Sequence, residues 1–182
     1  MTTKKIIIVL LLIASFTGCD KESEPKGPLA VVTVFTRENC PISENMCFPL
    51  RNTYRYFCDT LAKDILFRGF VPTFFSSEES IEEFRETFDI PFPLTRDWDD
   101  TGEGSSIGNP GLYTQQYSPT VTPEVFVEFN DELVYSGMIN NSYVALGDYL
   151  PPTEHYLLDV LTKIVNGEEL EPMETTAIGC NI

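Results

Sequence analysis

The sequence predicts a single domain of the α/β class, and the order of its apolar segments carries that prediction. An apolar run at residues 31–35 leads through a short polar stretch into Cys40-Pro41, where proline at the first helical position favours the start of a helix. Two further strand-like runs follow at residues 125–129 and 133–138, joined by a turn at residues 130–132. A strand, a helix and a later hairpin within one chain of this length indicate one mixed domain.

The segments between these features have their own periodicity. Apolar residues recur at helical spacing over residues 41–61, and the run at 70–75 predicts a second strand with Pro72 at an edge or bulge. Residues 76–79 resemble a capping box at the start of the next helix. A last helix is predicted with Thr153 as its N-cap and Gly167 as its end. Its inward face consists of Leu157, Val160, Leu161 and Ile164.

The first residues have the pattern of an export signal. Lys4 and Lys5 precede an apolar run at residues 6–14, which is too short for a permanent bilayer span of about 30 Å. Gly18 followed by Cys19 resembles a bacterial lipoprotein signal, with an ordinary secretory signal as the alternative. We therefore predict a signal peptide at 1–18, an acylated Cys19 with a flexible tether at 19–28, and a folded domain at 29–182. The protein would be lipid-anchored in the cell envelope, facing the periplasm or the cell surface.

The charge of the chain limits its partners. The 182 residues carry a net charge of −16, which would become −18 when Lys4 and Lys5 leave with the signal. Such an acidic body argues against nucleic acid as a partner and against electrostatic adhesion to anionic lipid. Contact with the membrane is therefore expected only through the lipid anchor.

Four cysteines remain once Cys19 is acylated, and disulfides persist outside the cytosol. In a helix that rises about 1.5 Å per residue, Cys47 lies roughly 10 Å from Cys40 and roughly 16 Å from Cys58. A disulfide needs Cα atoms within about 7 Å, so no pair among these three is expected to close. Cys180 lies on a tail beyond Gly167 that is long enough to return to Cys40. Cys58, on the apolar face of the helix, is predicted to be a core thiol.

Three stretches together resemble a known family. They are VTVFTRENCPIS, VTPEVFVEFNDELVYSGMINNSY and the tail TTAIGCNI. The chain resembles bacterial redoxin-domain lipoproteins of the thioredoxin-like superfamily, in the alkyl hydroperoxide reductase/thiol-specific antioxidant class, over residues 29–182. The resemblance implies a central mixed sheet of four or five strands with helices on both faces. It also implies a cis peptide bond between Thr122 and Pro123, before the final hairpin.

The same resemblance implies a site. Cys40 at a helix N-terminus would be the nucleophile, because the helix dipole and free N–H groups favour the thiolate, and Cys180 would resolve the intermediate. Thr122 and Pro123 would lie beside Cys40 and pair with an extended substrate strand. Arg37 is expected to assist by stabilising the thiolate. Two positions differ from related enzymes: Ser43 stands where a dithiol oxidoreductase has its second cysteine, and Arg37 stands where a peroxiredoxin has threonine.

Three functions are compatible with this pattern. The first is an envelope oxidoreductase that acts on a peroxide or on a thiol or disulfide protein partner. The second is a non-catalytic thioredoxin-like binding lipoprotein with a structural disulfide, and the third is a metal or electron-transfer accessory. We predict no cofactor and no metal. His155 is the only histidine and is expected to be structural rather than a base or ligand, and Glu44 stands where a copper-delivery motif requires its second cysteine.

The lipoprotein pattern yields a first test. We expect Cys19→Ala to release the protein from membranes or to mislocalise it, because the variant lacks the acylated sulfur. Mass spectrometry of the mature wild-type protein should find an N-terminus at Cys19 carrying diacylglycerol. Cys58→Ala is the matched control and should stay in the membrane fraction. A membrane-bound protein that still begins at Met1 would contradict the prediction.

Overall fold

The computed structural model describes residues 27–101, 104 and 107–182. Its strands, in chain order, are β1 (Ala30–Phe35), β2 (Ile65–Val71), β3 (Leu94–Arg96), β4 (Trp98–Asp99), β5 (Asn109–Pro110), β6 (Val121–Thr122), β7 (Glu124–Phe129), β8 (Glu132–Gly137), β9 (Tyr143–Ala145), β10 (Asp148–Tyr149), β11 (Met173–Glu174) and β12 (Cys180–Asn181). The helices are α1 (Pro41–Tyr54), α2 (Glu78–Thr87), α3 (Leu112–Tyr117) and α4 (Tyr156–Asn166). A π-helical segment, Arg55–Thr60, extends α1, so that the helix predicted over residues 41–61 is present.

The main sheet is mixed and has the strand order β11-β8-β7-β1-β2-β3. β1 pairs in parallel with β2, and β2 in parallel with β3. On the other side β1 is antiparallel to β7, and β7 is antiparallel to β8. The predicted mixed sheet is confirmed, but it has six strands rather than four or five. The sixth arises because the segment after α4 returns to pair with β8 as β11.

Alternating residues of β1 build two cores on opposite faces of the sheet. Val32 and Val34 belong to a large cluster that also contains Leu50 of α1 and Leu161 of α4. Phe35 points into a smaller aromatic cluster, which contains Phe70 and Phe126 and is covered by Tyr113 and Tyr117 of α3. Helices therefore flank both faces of the sheet, as predicted.

The second strand differs from its prediction. β2 covers Ile65–Val71 instead of residues 70–75, and it lies in register with the whole of β1. It ends before Pro72 because proline has no N–H to donate to the sheet. Phe74 and Phe75, which made the later run look like a strand, are about half exposed.

The last helix begins two residues later than predicted. Its N-cap is His155, and the predicted cap, Thr153, is bound elsewhere. The side-chain oxygen of Asn141 accepts from the Thr153 N–H at 2.9 Å, and the Asn141 amide donates to the Thr153 hydroxyl at 2.8 Å. The end of α4 at Gly167 agrees with the prediction, since Gly167 has the positive φ of +67° that favours glycine.

The predicted signal peptide and the acylation site Cys19 lie outside the described residues. Among the residues that are described, no helix combines the length and the apolar character needed to span a bilayer.

The backbone of Gly137, at the end of β8, packs closely against Thr175 of the tail, and a substitution at Gly137 tests how much this contact contributes to stability. Its φ is +126°, and a Cβ there would collide with the backbone oxygen and hydroxyl of Thr175 and lie 2.8 Å from its carbonyl carbon. We expect Gly137→Ala to lower the free energy of unfolding by about 2–4 kcal/mol, from backbone strain plus this collision. Gly147 has a φ of +78°, but a Cβ there would have no atom within 4 Å, so Gly147→Ala should cost only about 1 kcal/mol. Urea unfolding measures the free energy of unfolding of both variants. Equal decreases in the two variants would show that the contact with Thr175 contributes nothing beyond backbone strain.

Candidate active site

Cys40 lies where β1 gives way to α1. It is the N-cap residue of α1, and its carbonyl oxygen accepts from the Glu44 N–H at 3.0 Å, but its side chain makes no capping hydrogen bond. Pro41 has no N–H, so the N–H groups of Ile42 and Ser43 are the two of the first turn that stay available to an anion, at the positive end of the helix dipole. Both effects stabilise a thiolate on Cys40 relative to a thiol.

The structure contains the predicted disulfide between Cys40 and Cys180. Their Cα atoms lie 6.1 Å apart, across a separation of 140 residues in the sequence. The two residues differ in exposure, because Cys40 is 0 % exposed whereas Cys180 is partly exposed. In the oxidised protein, Cys180 is therefore the member of the pair that contacts solvent.

Thr122 and Pro123 lie beside this disulfide, and the peptide bond between them is cis. The Thr122 carbonyl oxygen is 3.3 Å from the Sγ of Cys40, within reach of a thiol donor when the disulfide opens. The tail pairs with this segment, since β12 is antiparallel to β6 with Cys180 opposite Thr122. The structure thus brings together four of the predicted site residues, Cys40, Cys180, Thr122 and Pro123.

Glu124 supports the segment before Pro123 and was not predicted. One oxygen of its carboxylate accepts from the backbone N–H of Thr120 at 2.7 Å and from that of Val121 at 3.4 Å. These bonds hold the chain that leads into β6. The sequence did offer a signal for Glu124, an acidic residue directly after the Thr-Pro pair at the start of a strand. A carboxylate at such a position is usually solvated, so this signal did not single out Glu124.

Arg37 lies on the loop between β1 and α1 and packs on an aromatic ring. Its guanidinium carbon is 5.4 Å from the centre of the Phe75 ring, and its Nε is buried without a hydrogen-bond partner. The next residue, Glu38, is buried and accepts from the Ser80 hydroxyl at 2.8 Å, while its second oxygen has no partner. The role of Arg37 in substrate or thiolate binding stays a prediction.

Ser43 occupies the position where dithiol enzymes have their second cysteine. Its hydroxyl is buried and has no hydrogen-bond partner. As the third residue of α1 it lies on the same side of the first turn as the N-cap residue Cys40.

The two remaining cysteines in the described residues are free, as predicted. Cys47 is buried and donates to the Ser43 carbonyl at 3.1 Å, and burial together with the charge of Glu44 raises its pKa to about 12. Cys58 was predicted to be a core thiol; it is partly buried and packs against the core cluster, 3.6 Å from the Ile65 carbonyl oxygen. Burial followed by the charge of Asp59 raises the pKa of Cys58 as well. Both environments disfavour the thiolate.

His155 lies away from this disulfide, at a separate cavity. The cavity of about 710 Å³ lies between α1 and α4 and is lined by Met46, Phe48, Tyr56 and His155 among others, but not by Cys40. Within the described part of the chain, no group of three or more histidine, cysteine or acidic side chains is arranged to hold a metal ion.

No family model matches the sequence, and a search of curated proteins finds no relative. Solved structures do match. An uncharacterised conserved protein from Geobacillus kaustophilus has 21 % identity and a TM-score of 0.67, covering 86 % of this chain and 78 % of its own. A hypothetical protein from Sinorhizobium meliloti has 17 % identity and a TM-score of 0.65, covering 85 % and 79 %. A thiol-disulfide isomerase from Corynebacterium glutamicum has 16 % identity and a TM-score of 0.51, covering 79 % and 84 %.

These similarities define the fold. The mixed sheet, the helices on both faces and the structural neighbours together make this a thioredoxin-like fold, as the sequence predicted. At these identities the comparison concerns the fold alone.

The environments of the thiols predict their order of reaction. In the reduced folded protein at about pH 8, iodoacetamide should label Cys40 first and Cys58 more slowly. Cys47 should stay unlabelled, because a pKa of about 12 leaves a thiolate fraction of about 10⁻⁴. In urea all of these thiols should react alike. Peptide mapping gives the order, and labelling of folded Cys47 as fast as Cys40 would contradict it.

The raised pKa of Cys47 also implies that the stability of the folded protein depends on pH. The pKa of Cys47 is higher in the folded chain than the ordinary value of 9.0, so the neutral thiol contributes stability that is fully present below about pH 9. That contribution is lost as the pH rises towards 12, and Cys47→Ala should weaken the decline that urea unfolding records over this range.

Proposed function

We propose that this protein is a thiol–disulfide oxidoreductase in which Cys40 and Cys180 alternate between dithiol and disulfide. The observation that carries the proposal is their disulfide at the N-terminus of α1, beside the Thr122 carbonyl. The pair joins a thiolate-stabilising position to a cysteine on β12, a strand of only two residues. That combination suits a bond that opens and closes.

In the oxidising half of the cycle, the thiolate of Cys40 attacks one sulfur of a substrate disulfide. A bond forms between Cys40 and that sulfur, and the other half of the substrate leaves as a thiolate with the electron pair. The thiolate of Cys180 then attacks the sulfur of Cys40 and releases the remaining substrate thiolate. The Cys40–Cys180 disulfide is restored, and the substrate has gained two electrons.

In the reducing half, a dithiol partner protein supplies the electrons. Because Cys40 is buried and Cys180 is partly exposed, the partner thiolate attacks Cys180. Cys40 leaves as a thiolate, which the helix N-terminus favours as a leaving group. The second thiol of the partner then attacks the mixed disulfide and frees Cys180, and the partner is left with its own disulfide.

A peroxide is the second candidate oxidant, and it follows from the resemblance to the alkyl hydroperoxide reductase/thiol-specific antioxidant class. The thiolate of Cys40 would take the terminal oxygen of the peroxide to form a sulfenic acid, and an alcohol or water would leave. Condensation of this acid with the Cys180 thiol would give the disulfide and water. We place the protein in this redoxin class and in the cell envelope, anchored through lipid on Cys19.

The alternative is a binding lipoprotein in which the same disulfide is structural. It is favoured by the complete burial of Cys40 and by Ser43 at the second-cysteine position. Closing a loop of this length stabilises a protein by about 5 kcal/mol in the chain-entropy model, whether or not the bond cycles. Stability therefore does not separate the two functions, whereas the reduction potential does.

Three measurements test the proposal. The Cys40–Cys180 pair should have a reduction potential above about −300 mV, since structural bonds of exported proteins lie below that value. Cys40→Ser should reduce disulfide reductase and peroxidase turnover to the uncatalysed background, because the attacking thiolate is lost. Cys180→Ser should stop after one turnover, with substrate held on Cys40 as a mixed disulfide that mass spectrometry detects.

Cys58→Ser is the control and should retain full turnover, because Cys58 lies outside the site and forms no disulfide. Normal turnover by Cys40→Ser, or a potential below about −300 mV, would refute the oxidoreductase and support the binding protein.

A further inference from the structure

Cys180 reaches Cys40 as part of an extended strand. Cys180 lies opposite Thr122 and Asn181 opposite Val121 in the antiparallel pairing of β12 with β6. The Thr122 hydroxyl donates to the Cys180 carbonyl oxygen at 3.5 Å. The tail is therefore an intramolecular example of an extended, cysteine-containing polypeptide bound at this site.

The residue before that cysteine has no room for a side chain. Gly179 is buried, and a Cβ there would collide with the Thr122 carbonyl oxygen and lie 2.7 Å from the carbonyl carbon and 3.2 Å from the Pro123 nitrogen. All three are backbone atoms of the Thr-Pro segment, and Glu124 holds the chain that leads into that segment independently of the tail. Gly179 does not have a positive φ, so space rather than backbone conformation requires the glycine.

The neighbouring positions are less restricted. Asn181 is exposed, so its side chain does not contribute to the fit. Ile178 lines a small cleft with Ile42 and Pro123, so an apolar residue fits two positions before the cysteine. The restriction is therefore sharpest at the residue directly before the cysteine.

We infer that the site selects extended polypeptide segments in which glycine directly precedes the reactive cysteine. This inference rests on the proposed function and names its substrate class. The substrate cysteine takes the place of Cys180, so its strand and the tail compete for the same edge of β6. The tail can yield that edge, because β12 has only two residues and Thr175, bound to Tyr135 and Met138, holds the preceding chain independently.

The selection of glycine before the reactive cysteine is tested by a thiol–disulfide exchange reaction between the protein and peptide probes. The protein is the full chain in detergent with Cys180→Ser and Cys58→Ser, reduced beforehand. The peptide matches residues 175–182, with its cysteine in a disulfide to thionitrobenzoate. The Cys40 thiolate attacks the peptide sulfur, a Cys40–peptide disulfide forms, and thionitrobenzoate leaves as a coloured thiolate that carries the electron pair.

Three peptides are compared, and each rate is divided by that peptide's rate with free dithiothreitol. The native peptide should react at least about tenfold faster than the peptide with Gly179→Ala, because the added methyl group meets backbone atoms. The peptide with Asn181→Ala is the matched control and should stay within about twofold of the native one, since that side chain faces solvent. A symmetric aromatic disulfide, dithiobis(nitrobenzoate), measures the reactivity of Cys40 without any strand.

The outcomes separate the inference from the function on which it rests. Equal rates for the native and Gly179→Ala peptides, with Cys40 reactive towards the small disulfide, overturn the glycine selection and leave the oxidoreductase intact. Reaction with the small disulfide but with no peptide also overturns the inference, because the strand then fails to displace the tail. A folded protein whose Cys40 does not react with the small disulfide overturns the proposed function itself.

Discussion

The antiparallel pairing of β1 with β7 is the constraint on which the site depends. Phe35, the last residue of β1, lies opposite Glu124, the first residue of β7. Cys40 follows the end of β1 through a short loop, and Thr122 and Pro123 directly precede β7. One register therefore brings together two segments that are 82 residues apart and places the Thr122 carbonyl 3.3 Å from Cys40. A shift of one residue would turn these side chains to the opposite face of the sheet.

The cysteine thiol meets three different environments along α1 and the π-helical segment that follows it, and these environments affect its ionisation differently. At its N-terminus, Cys40 meets free backbone N–H groups and the positive end of the dipole. Two turns further on, Cys47 is buried beside Glu44, and its pKa rises to about 12. Cys58, in the π-helical segment that follows α1, is half-buried, and its pKa is also raised. Position along one helical run thus sets how strongly each thiol resists ionisation, and burial disfavours the thiolate at Cys47 and Cys58.

The sequence predicted the parts of this site that depend on local pattern and missed those that depend on tertiary contact. The strand before Cys40, the Thr-Pro pair and the reach of Cys180 are all visible in short stretches or in chain length. The true β2 was missed because Arg68 and Gly69 interrupt its apolar residues, and partners on both sides, β1 and β3, override that weak signal. The sequence gives no local signal for Gly179, because its φ is not in the left-handed region that favours glycine. Only the tertiary packing against Thr122 excludes a side chain there.

The position of the tail explains why one cysteine is buried and the other accessible. Cys40 is completely buried in the core cluster, whereas Cys180, which β12 carries to it, is partly exposed to solvent. In the oxidised state, the edge of β6 is therefore occupied by β12, while Cys180 as a residue stays partly exposed to solvent. In the proposed function, opening the disulfide would leave β12 held by its two-residue ladder, the Thr122 hydrogen bond and its core packing. Redox state and access to β6 would then be coupled through this one bond.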